Sequence, residues 1–407
     1  MLLPVHCFRM SRLVFFVVFL FAGLSSTHAQ WQIEESHTTS DLRGIHALGN
    51  GIAWASGTEG TVLRTTDDGA LWQRCAPPPD AEALDFRGIQ AFDADTAVVM
   101  SSGKGDLSRL YKTTDGCVTW KLVFTNPDND GFFDALSFSG ADHIVFGNPW
   151  LSGPVHHPDI ERHVLHDCGY LLGDPVDGSF RTFHTCDRGS TWLSSPDKFV
   201  AKGGEAAFAA SNQSLVTNEL DRILFVTGGS VARLRFSDSG CELDGLWCYH
   251  SYPTVNLPLA HGNEYSGAFA MAILPDYSYG PQFKYPYTVV IVGGDYKQPE
   301  TTDGVAATVY FVGPRSFLGH PAAARAAHTP PHGYRSAVTY DVASKTWITV
   351  GPNGTDISTD DGRNWRALKP SATDTPGADR DWNALSLPFV VGPHGRIGKL
   401  NAKTLAP

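Results

Sequence analysis

The sequence predicts an all-β protein, and three observations support this class. One short turn pattern recurs four times along the chain, which indicates a repeat architecture. No long segment places apolar residues at the spacing of an amphipathic helix. Glycine, proline, aromatic and β-branched residues are abundant, as expected where many short strands are joined by tight turns.

Each copy of the turn pattern has a hydroxyl residue, an aspartate two positions later and a tryptophan five positions after that. We expect the aspartate to accept hydrogen bonds from N–H groups of its own turn, and the tryptophan to pack between neighbouring sheets. A glycine lies between them in three copies, and Cys117 takes its place in the other. The residues are Thr65, Asp67, Gly69 and Trp72; Thr113, Asp115 and Trp120; Thr185, Asp187, Gly189 and Trp192; and Ser358, Asp360, Gly362 and Trp365.

These segments resemble the Asp-box, the turn between the two outer strands of a blade in sialidase-like and related β-propellers. We call the four segments, 65–72, 113–120, 185–192 and 358–365, the boxed turns. The resemblance implies a β-propeller in which the aspartates hold their own turns. Residues 237–240 and 301–304 resemble weakened copies of the same turn.

A second repeated feature predicts seven blades. The inner strand of each blade should contain small and apolar residues, because inner strands crowd around the central axis. Segments of this kind open at Leu42, Phe86, Phe133, Gly204, Tyr265, Tyr334 and Trp382. The last unit lacks an outer strand, while residues 31–35 resemble the strand that follows a boxed turn. We therefore expect the N-terminal strand to close the ring.

Residues 1–29 predict a signal peptide, with Met1 or Met10 as the initiating residue. Arg9 and Arg12 precede an apolar run, 13–24, that is too short for a permanent membrane span. Small residues at Thr27 and Ala29 fit cleavage after Ala29. Residues 30–407 should then form a single secreted or periplasmic propeller domain, with insert loops at about 148–167 and 313–332.

The mature chain should be acidic. The whole chain has a net charge of −11, and removal of a leader with two arginines and no acidic residue leaves about −13. This charge argues against nucleic acid and anionic membranes as partners.

Six cysteines remain after cleavage, and an exported chain can oxidise them. Cys168 and Cys186 flank one hairpin turn, and Cys241 and Cys248 flank another at Asp244-Gly245. We predict a cross-strand disulfide at each place, with buried free thiols as the alternative. The sequence leaves the pairing of Cys75 and Cys117 open.

The opening of each inner strand places a polar residue before a small one. These polar residues should form a ring at one mouth of the central channel, the default ligand site of a propeller. The ring could bind an anionic or sugar-like ligand, or its charges could form ion pairs between blades. Its members are Arg43, Arg87, Asp134, Glu205, Ser266, Arg335 and Asn383.

The sequence predicts no metal and no cofactor. The insert 148–167 contains His156, His157, His163 and His166, but their spacing does not define a zinc or copper site. Residues 128–131 resemble only the start of a calcium loop. Nucleotide-binding, flavin and hydrolase-nucleophile motifs are absent from the sequence.

The boxes, the repeat number and the leader together resemble the photosystem II stability/assembly factor family, in an exported bacterial branch. Further stretches that support this resemblance are 173–178, 204–211, 293–296, 333–336 and 350–354. The resemblance implies a monomeric, non-catalytic scaffold that binds a protein client or a sugar-like ligand at the channel mouth. Photosynthetic members bind through a basic face, whereas this chain is acidic.

The alternative is a glycoside hydrolase of the sialidase or glucanase kind, because these enzymes share Asp-boxed propellers. Asp134 and Glu205 would then be the acid and base, and Arg43, Arg87 and Arg335 would imitate an arginine triad. The Arg-Ile-Pro tripeptide of sialidases is absent, and sialidases have six blades.

Overall fold

The computed structural model describes residues 30–138, 168–217, 223–241, 248–275, 287–312, 320–321, 323–401 and 405. The leader, the histidine-bearing insert 148–167 and part of the insert 313–332 lie outside these ranges. Within them, regular structure is β, apart from a 3₁₀ turn at Gly105–Leu107 and a single 3₁₀ residue at Leu405. None of the helical segments in the described ranges could cross a membrane.

The strands form antiparallel sheets in a β-propeller arrangement. In four of these sheets, chain order runs outward from an inner strand. The first sheet contains β2 (Leu42–Gly49), β3 (Ile52–Gly57), β4 (Val62–Thr65) and β5 (Gln73–Arg74). The second contains β6 (Phe86–Ala91), β7 (Ala97–Ser101), β8 (Arg109–Thr113) and β9 (Lys121–Thr125). The third contains β10 (Phe133–Phe138), β11 (Gly169–Val176), β12 (Ser179–Thr185), β13 (Leu193–Ser194) and β14 (Phe199–Val200). The penultimate sheet contains β27 (Ala337–Asp341), β28 (Thr346–Gly351), β29 (Gly354–Ser358) and β30 (Arg366–Ala367).

Between the third and penultimate sheets lies a ten-stranded sheet, called here the large sheet, with a two-stranded ribbon beside it. Its first part contains β15 (Glu205–Ala206), β16 (Leu215–Thr217), β17 (Ile223–Gly229), β18 (Arg233–Phe236) and β21 (Thr254–Asn256). Its second part contains β22 (Ser266–Pro275), β23 (Tyr287–Asp295), β24 (Ala306–Val312), β25 (His320–Pro321) and β26 (Arg325–Ala326). The ribbon is β19 (Asp238–Cys241) with β20 (Cys248–Ser251).

The ring closes through the N-terminus, as predicted. The closing sheet contains β31 (Ala384–Ser386), β32 (Phe389–Val391), β33 (Ile397–Leu400) and β1 (Trp31–Glu34). Strand β1 pairs antiparallel with β33, with Trp31 opposite Leu400. Trp31 is buried and stacks on Trp382 with ring centroids 6.0 Å apart. The inner strands contact one another in a circle, in the order β2, β6, β10, β16, β22, β27, β31 and back to β2.

The core consists of apolar clusters between successive sheets. The tryptophan of each boxed turn packs against the preceding sheet, as its large apolar face predicts. Trp72 lies edge-on to Phe389 of the closing sheet, and Trp192 lies edge-on to Phe138, in a cluster with residues of the second sheet. Trp120 belongs to a cluster with Trp54 of the first sheet.

Two disulfides occur among the described residues. Cys168–Cys186 joins the ends of the hairpin β11–β12, as predicted. Cys75–Cys117, which the sequence left open, links the residue after β5 to the second boxed turn and so joins the first and second sheets. Cys241 and Cys248 are backbone partners in the β19–β20 ribbon, but their side chains lie outside the described part of the chain.

Two expectations about weakened boxes are wrong. Residues 238–240 belong to strand β19 and pair with β20, because the connection between β18 and β21 is enlarged into a ribbon. Residues 301–304 lie between β23 and β24, the second and third strands of their part of the large sheet. The boxed turns of the other sheets lie between the third and fourth strands.

The fourth predicted inner strand is interrupted. It forms only β15 before the chain leaves the sheet, and it rejoins the sheet at β16. Residues 207–214, called here the plug, are the intervening segment.

Candidate functional site

The four repeated turns share one hydrogen-bonding pattern. In the first, Gly69 N donates to Thr65 Oγ1 at 3.0 Å, and Leu71 N donates to Asp67 Oδ1 at 3.0 Å. The same pairs in the other turns are Cys117 N to Thr113 Oγ1 and Thr119 N to Asp115 Oδ1; Gly189 N to Thr185 Oγ1 and Thr191 N to Asp187 Oδ1; and Gly362 N to Ser358 Oγ and Asn364 N to Asp360 Oδ1. A carboxylate that accepts several such bonds is engaged within its own turn, so these aspartates are structural.

Glu205 does not face the channel as a free carboxylate. It is buried, and Arg233 contacts both of its oxygens. Thr227 Oγ1 donates to Oε1 at 2.8 Å, and Lys202 N donates to Oε2 at 2.9 Å. Burial raises the pKa of Glu205, but the hydrogen bonds from Arg233, Lys202 and Thr227 outweigh it, so the pKa lies below its ordinary value. The placement of Glu205 in a ligand-binding ring is therefore corrected to a buried ion pair within one sheet.

Arg335 is buried in the same way, with no exposed side-chain surface. Its Nε donates to Asp356 Oδ2 at 3.0 Å, and its Nη1 donates to Tyr334 O at 2.8 Å and to Asn353 Oδ1. Asp356 belongs to β29, the third strand of the penultimate sheet, and Arg335 lies just before β27, the inner strand of that sheet. Arg335 therefore cannot be the third member of an exposed arginine triad.

Asp134 is also buried, beside a second carboxyl group, that of Asp174. Burial, and then the charge of Asp174, raise the pKa of Asp134 well above its ordinary value, while Arg87 lowers it. Burial raises the pKa of Asp174 to about 6. Asp174 Oδ1 accepts a hydrogen bond from Ala207 N at 3.0 Å, which attaches the start of the plug to the third sheet.

The remaining members of the predicted ring also have structural contacts. Ser266 is buried, and Asn383 Nδ2 donates to Leu42 O at 2.8 Å, between the closing and first sheets. Of the three arginines in the ring, Arg43 and Arg87 keep partly exposed side chains. The predicted ring is therefore not a single accessible surface, because burial separates most of its members from solvent.

The plug fills the centre of the propeller. All of its residues are buried or half-buried, and it hydrogen-bonds to inner strands of other sheets. Gly88 of β6 permits this approach, since a Cβ there would lie 2.7 Å from Asn212 Oδ1. In these bonds, Leu136 N donates to Asn212 Oδ1 (2.8 Å), Val338 N donates to Gln213 Oε1 (2.9 Å) and Met271 N donates to Gln213 O (3.0 Å). Gln213 Nε2 donates to Leu385 O (3.0 Å), and Ser211 Oγ donates to Ser336 O (2.6 Å).

At the end where the inner strands begin, two arginines share one carboxylate. Asp85 Oδ2 accepts from Arg87 Nε at 2.7 Å, and Asp85 Oδ1 lies 3.2 Å from Arg43 Nε. Arg87 Nη1 also reaches Ala209 O of the plug at 3.4 Å. Asp85 thus holds both guanidinium groups in place, with that of Arg87 against the plug, and about 30% of each side chain is exposed (29% and 31%).

Two tyrosines, Tyr296 and Tyr334, lie close to these arginines. Tyr334 packs edge-on against Phe269, at 4.8 Å between ring centroids, and Tyr296 lies 6.4 Å from Tyr334. Burial raises the pKa of the Tyr334 hydroxyl, whereas Arg43 and Arg87 lie close enough to lower it. Tyr296 is 40% exposed. We call Arg43, Asp85, Arg87, Tyr296 and Tyr334, with the plug beneath them, the cup.

Sequence reasoning located Arg43 and Arg87 in the cup but missed the plug, Asp85 and Tyr296. Asp85 immediately precedes the opening of the second inner strand, so its position was an available signal. The plug had a weaker signal, the polar run 211–214 within a segment that should have been an apolar strand.

Metal ligands do not converge in the described ranges: no group of three His, Cys, Asp or Glu side chains is placed to hold an ion. In the segment 128–131, Asp128 Oδ2 pairs with Arg181 Nε at 2.7 Å, and Asp130 Oδ1 lies 2.7 Å from Lys104 Nζ. The histidines of the insert 148–167 lie outside the described residues.

No family model matches the sequence, and no curated protein matches it. Solved structures are similar in fold. YCF48 bound to D1 peptide has a TM-score of 0.52 at 12% identity, with 92% of this chain and 97% of that chain covered. YCF48 from Cyanidioschyzon merolae has a TM-score of 0.50 at 15% identity, with 92% and 100% covered.

The extracellular domain of the one-component system BT4673 from B. thetaiotaomicron has a TM-score of 0.50 at 9% identity, covering 91% of this chain and 40% of that one. At these identities the likeness concerns the fold. The protein is thus an all-β protein with a β-propeller arrangement of sheets, similar in fold to YCF48.

Proposed function

We propose that this protein is an exported, monomeric, non-catalytic binding scaffold whose cup binds a segment of a protein client. The observation that carries the proposal is the cup itself. There, two fixed guanidinium groups and a 40%-exposed tyrosine lie together above a closed floor. Propellers commonly bind partners at this position on the axis.

The proposal includes seven blades with Asp-box turns. The circle of inner strands supports this number. The large sheet divides at one backbone pairing, Gly228 with Gly267, so its two parts can be counted as two blades. The hydrogen bonds shared by the four boxed turns support the Asp-box interpretation.

The chemistry of the cup suggests which client segment would fit. Arg43 and Arg87 share the Asp85 carboxylate, and Arg43 Nη2 also lies 3.8 Å from Asp41 Oδ2. The two guanidinium groups have more N–H donors than these contacts use, so they can donate to a ligand. Tyr296 is 40% exposed beside them, and Lys297 Nζ lies 5.4 Å from the centroid of its ring. A segment with a carboxylate next to an apolar or aromatic side chain would complement both features. The YCF48 structure bound to a peptide supports a client of this class for a propeller of similar fold.

Export is supported by the disulfides and by the leader. Cys75–Cys117 and Cys168–Cys186 require an oxidising compartment to form and persist. The proposed cleavage after Ala29 would place β1 near the new N-terminus, where it pairs with β33. The protein would therefore function in the periplasm or outside the cell.

The glycoside hydrolase alternative receives no support from the site. Its predicted acid–base pair needs two carboxyl groups across an open cleft. Both oxygens of Glu205 are occupied by protein donors, and Asp134 is buried. We therefore propose no second function.

Affinity capture from the exported fraction tests the proposal. The wild-type protein should retain a defined protein client, and Arg43→Gln with Arg87→Gln should weaken its binding by about tenfold or more, or about 1.4 kcal/mol. Arg363→Gln is the matched control, because Arg363 is exposed on a boxed turn and should leave binding unchanged. Equal retention by the double variant would contradict the proposal, as would glycan cleavage by the wild-type protein.

A further inference from the structure

A second candidate site lies away from the cup, between the large and penultimate sheets. Here a cavity of about 590 Å³ is lined by residues that include His332, Glu300, Lys369, Arg380 and Asp381. The imidazole of His332 is 57% exposed, and it contacts the fully buried carboxylate of Asp356. A buried carboxylate that orients an accessible imidazole is the arrangement that enzymes and receptors use to fix a histidine tautomer.

The contacts of Asp356 determine where the imidazole proton lies. His332 Nδ1 is 2.5 Å from Asp356 Oδ1, and His332 N donates to Oδ2 at 3.2 Å. The guanidinium group of Arg335 also binds Oδ2. An ionised carboxylate only accepts hydrogen bonds, so Nδ1 donates its proton to it. In the neutral imidazole, Nε2 is then a free acceptor on the side of the ring away from Asp356.

The backbone around His332 is held as firmly as its ring. Asn353 Nδ2 donates to Pro299 O at 2.9 Å and also to His332 O. Gly333 has φ of 120°, and a Cβ there would lie 2.0 Å from Pro299 O. The histidine is therefore pre-organised, which lowers the entropic cost of binding a ligand.

The charges that line the cavity define a ligand with two kinds of group. Lys369 and Arg380 provide exposed cations, and Arg380 Nε lies 3.9 Å from the nearly buried carboxylate of Asp379. Glu300, Asp381 and Nε2 of His332 provide acceptors for hydroxyl groups. A ligand complementary to this lining would have one carboxylate and several hydroxyl groups. The volume is ample for a monosaccharide.

We propose that this cavity binds a small hydroxylated carboxylate of the uronic acid class. One sugar hydroxyl donates to Nε2 of His332, and the carboxylate of the sugar binds Lys369 and Arg380. Metal binding is not part of the proposal, because metal ligands do not converge in the described part of the chain.

Isothermal titration of the full protein with D-galacturonate tests this site. We expect binding with a Kd of about 1 mM or tighter, and a loss of at least about tenfold in His332→Gln. D-galactose, which keeps the hydroxyl groups but lacks the carboxylate, should bind about tenfold more weakly or not at all. Lys369→Ala should reduce galacturonate affinity toward that of galactose.

Two control variants test whether the change in galacturonate affinity arises at the His332 cavity. His394→Gln changes an 88%-exposed histidine outside the cavity and should leave galacturonate affinity unchanged. The Arg43→Gln, Arg87→Gln double variant should also bind galacturonate normally, because the cup is a separate site. Lack of galacturonate binding to the wild-type protein would overturn the proposal. Equal binding by His332→Gln, or equal affinity for galactose, would also overturn it.

Discussion

The boxed turns and the inner-strand openings both repeat around the molecule, but only the boxed turns repeat in structure. In each boxed turn the aspartate accepts from the N–H four residues ahead. In the openings, by contrast, Glu205 pairs with Arg233 and Arg335 pairs with Asp356, each in another strand, whereas Arg87 pairs with Asp85 only two residues before it. A repeated residue therefore repeats its role where its partners are local in sequence, and diverges where other strands supply its partners.

The largest expected effect comes from breaking the closure, the one part of the ring built from both chain ends. Deleting residues 31–35 removes β1 and the stack of Trp31 on Trp382. Loss of a buried tryptophan alone costs about 3–5 kcal/mol, and the lost strand pairing adds to it. Urea denaturation should show a fall in the free energy of unfolding beyond that range. Ile33→Ser is the control, because Ile33 is 39% exposed on the same strand; an unchanged midpoint after the deletion would contradict closure by β1.

Arg335→Met tests whether the third arginine is structural. It leaves Asp356 as a buried carboxylate without its guanidinium partner, which should cost about 3–5 kcal/mol in the free energy of unfolding. Arg363→Met, at an exposed arginine of a boxed turn, should change stability by less than about 0.5 kcal/mol. A destabilisation by Arg335→Met as small as that of the control would return Arg335 to the ligand-binding ring.

The pair Asp134 and Asp174 should make stability depend on pH. Burial raises the pKa of Asp174 to about 6, and it raises that of Asp134 as well. The folded protein then binds more protons than the unfolded chain, in which an aspartate has a pKa of about 3.9. This contribution to stability is complete below the unfolded value and is lost as the pH rises through 6.

The melting temperature should therefore fall between about pH 4 and pH 7, and it should fall less in Asp174→Asn. The asparagine keeps an oxygen for Ala207 N, so the start of the plug stays attached to the third sheet. Asp177→Asn, in the turn of the same hairpin, is the control. Parallel melting profiles for the wild-type protein and Asp174→Asn would refute the proton linkage.

The smallest effect tests the equivalence of the boxed turns. Asp187→Ala and Asp360→Ala each remove a carboxylate that accepts several hydrogen bonds in its turn. Each should cost about 1–2 kcal/mol in the free energy of unfolding, and the two values should agree within about 0.5 kcal/mol. Neither variant should change client capture. Clearly unequal costs, or a lost client, would show that the boxes are not interchangeable structural turns.

The same contrast explains what could be predicted from the sequence. Local sequence patterns predict the boxed turns and the Cys168–Cys186 hairpin. The closing strand could be predicted because the last repeat unit lacks an outer strand. The plug could not be predicted, because Gln213 bonds to residues 125 and 172 positions away. Glu205 and Arg335 are buried because Arg233 and Asp356, in other strands, pair with them. Aligning the openings of the inner strands gives no information about these partners.

The cup above the plug, rather than the surface that contains the boxed turns, is the proposed binding surface. Site-specific photo-crosslinking tests it most directly, with the photoreactive residue at Tyr296 or at Val118, which is 71% exposed on the second boxed turn. We expect a crosslinked client from position 296, little from position 118, and loss of the position-296 product when Arg87 is changed to Gln. A client crosslinked equally from both positions, or from 118 alone, would contradict it.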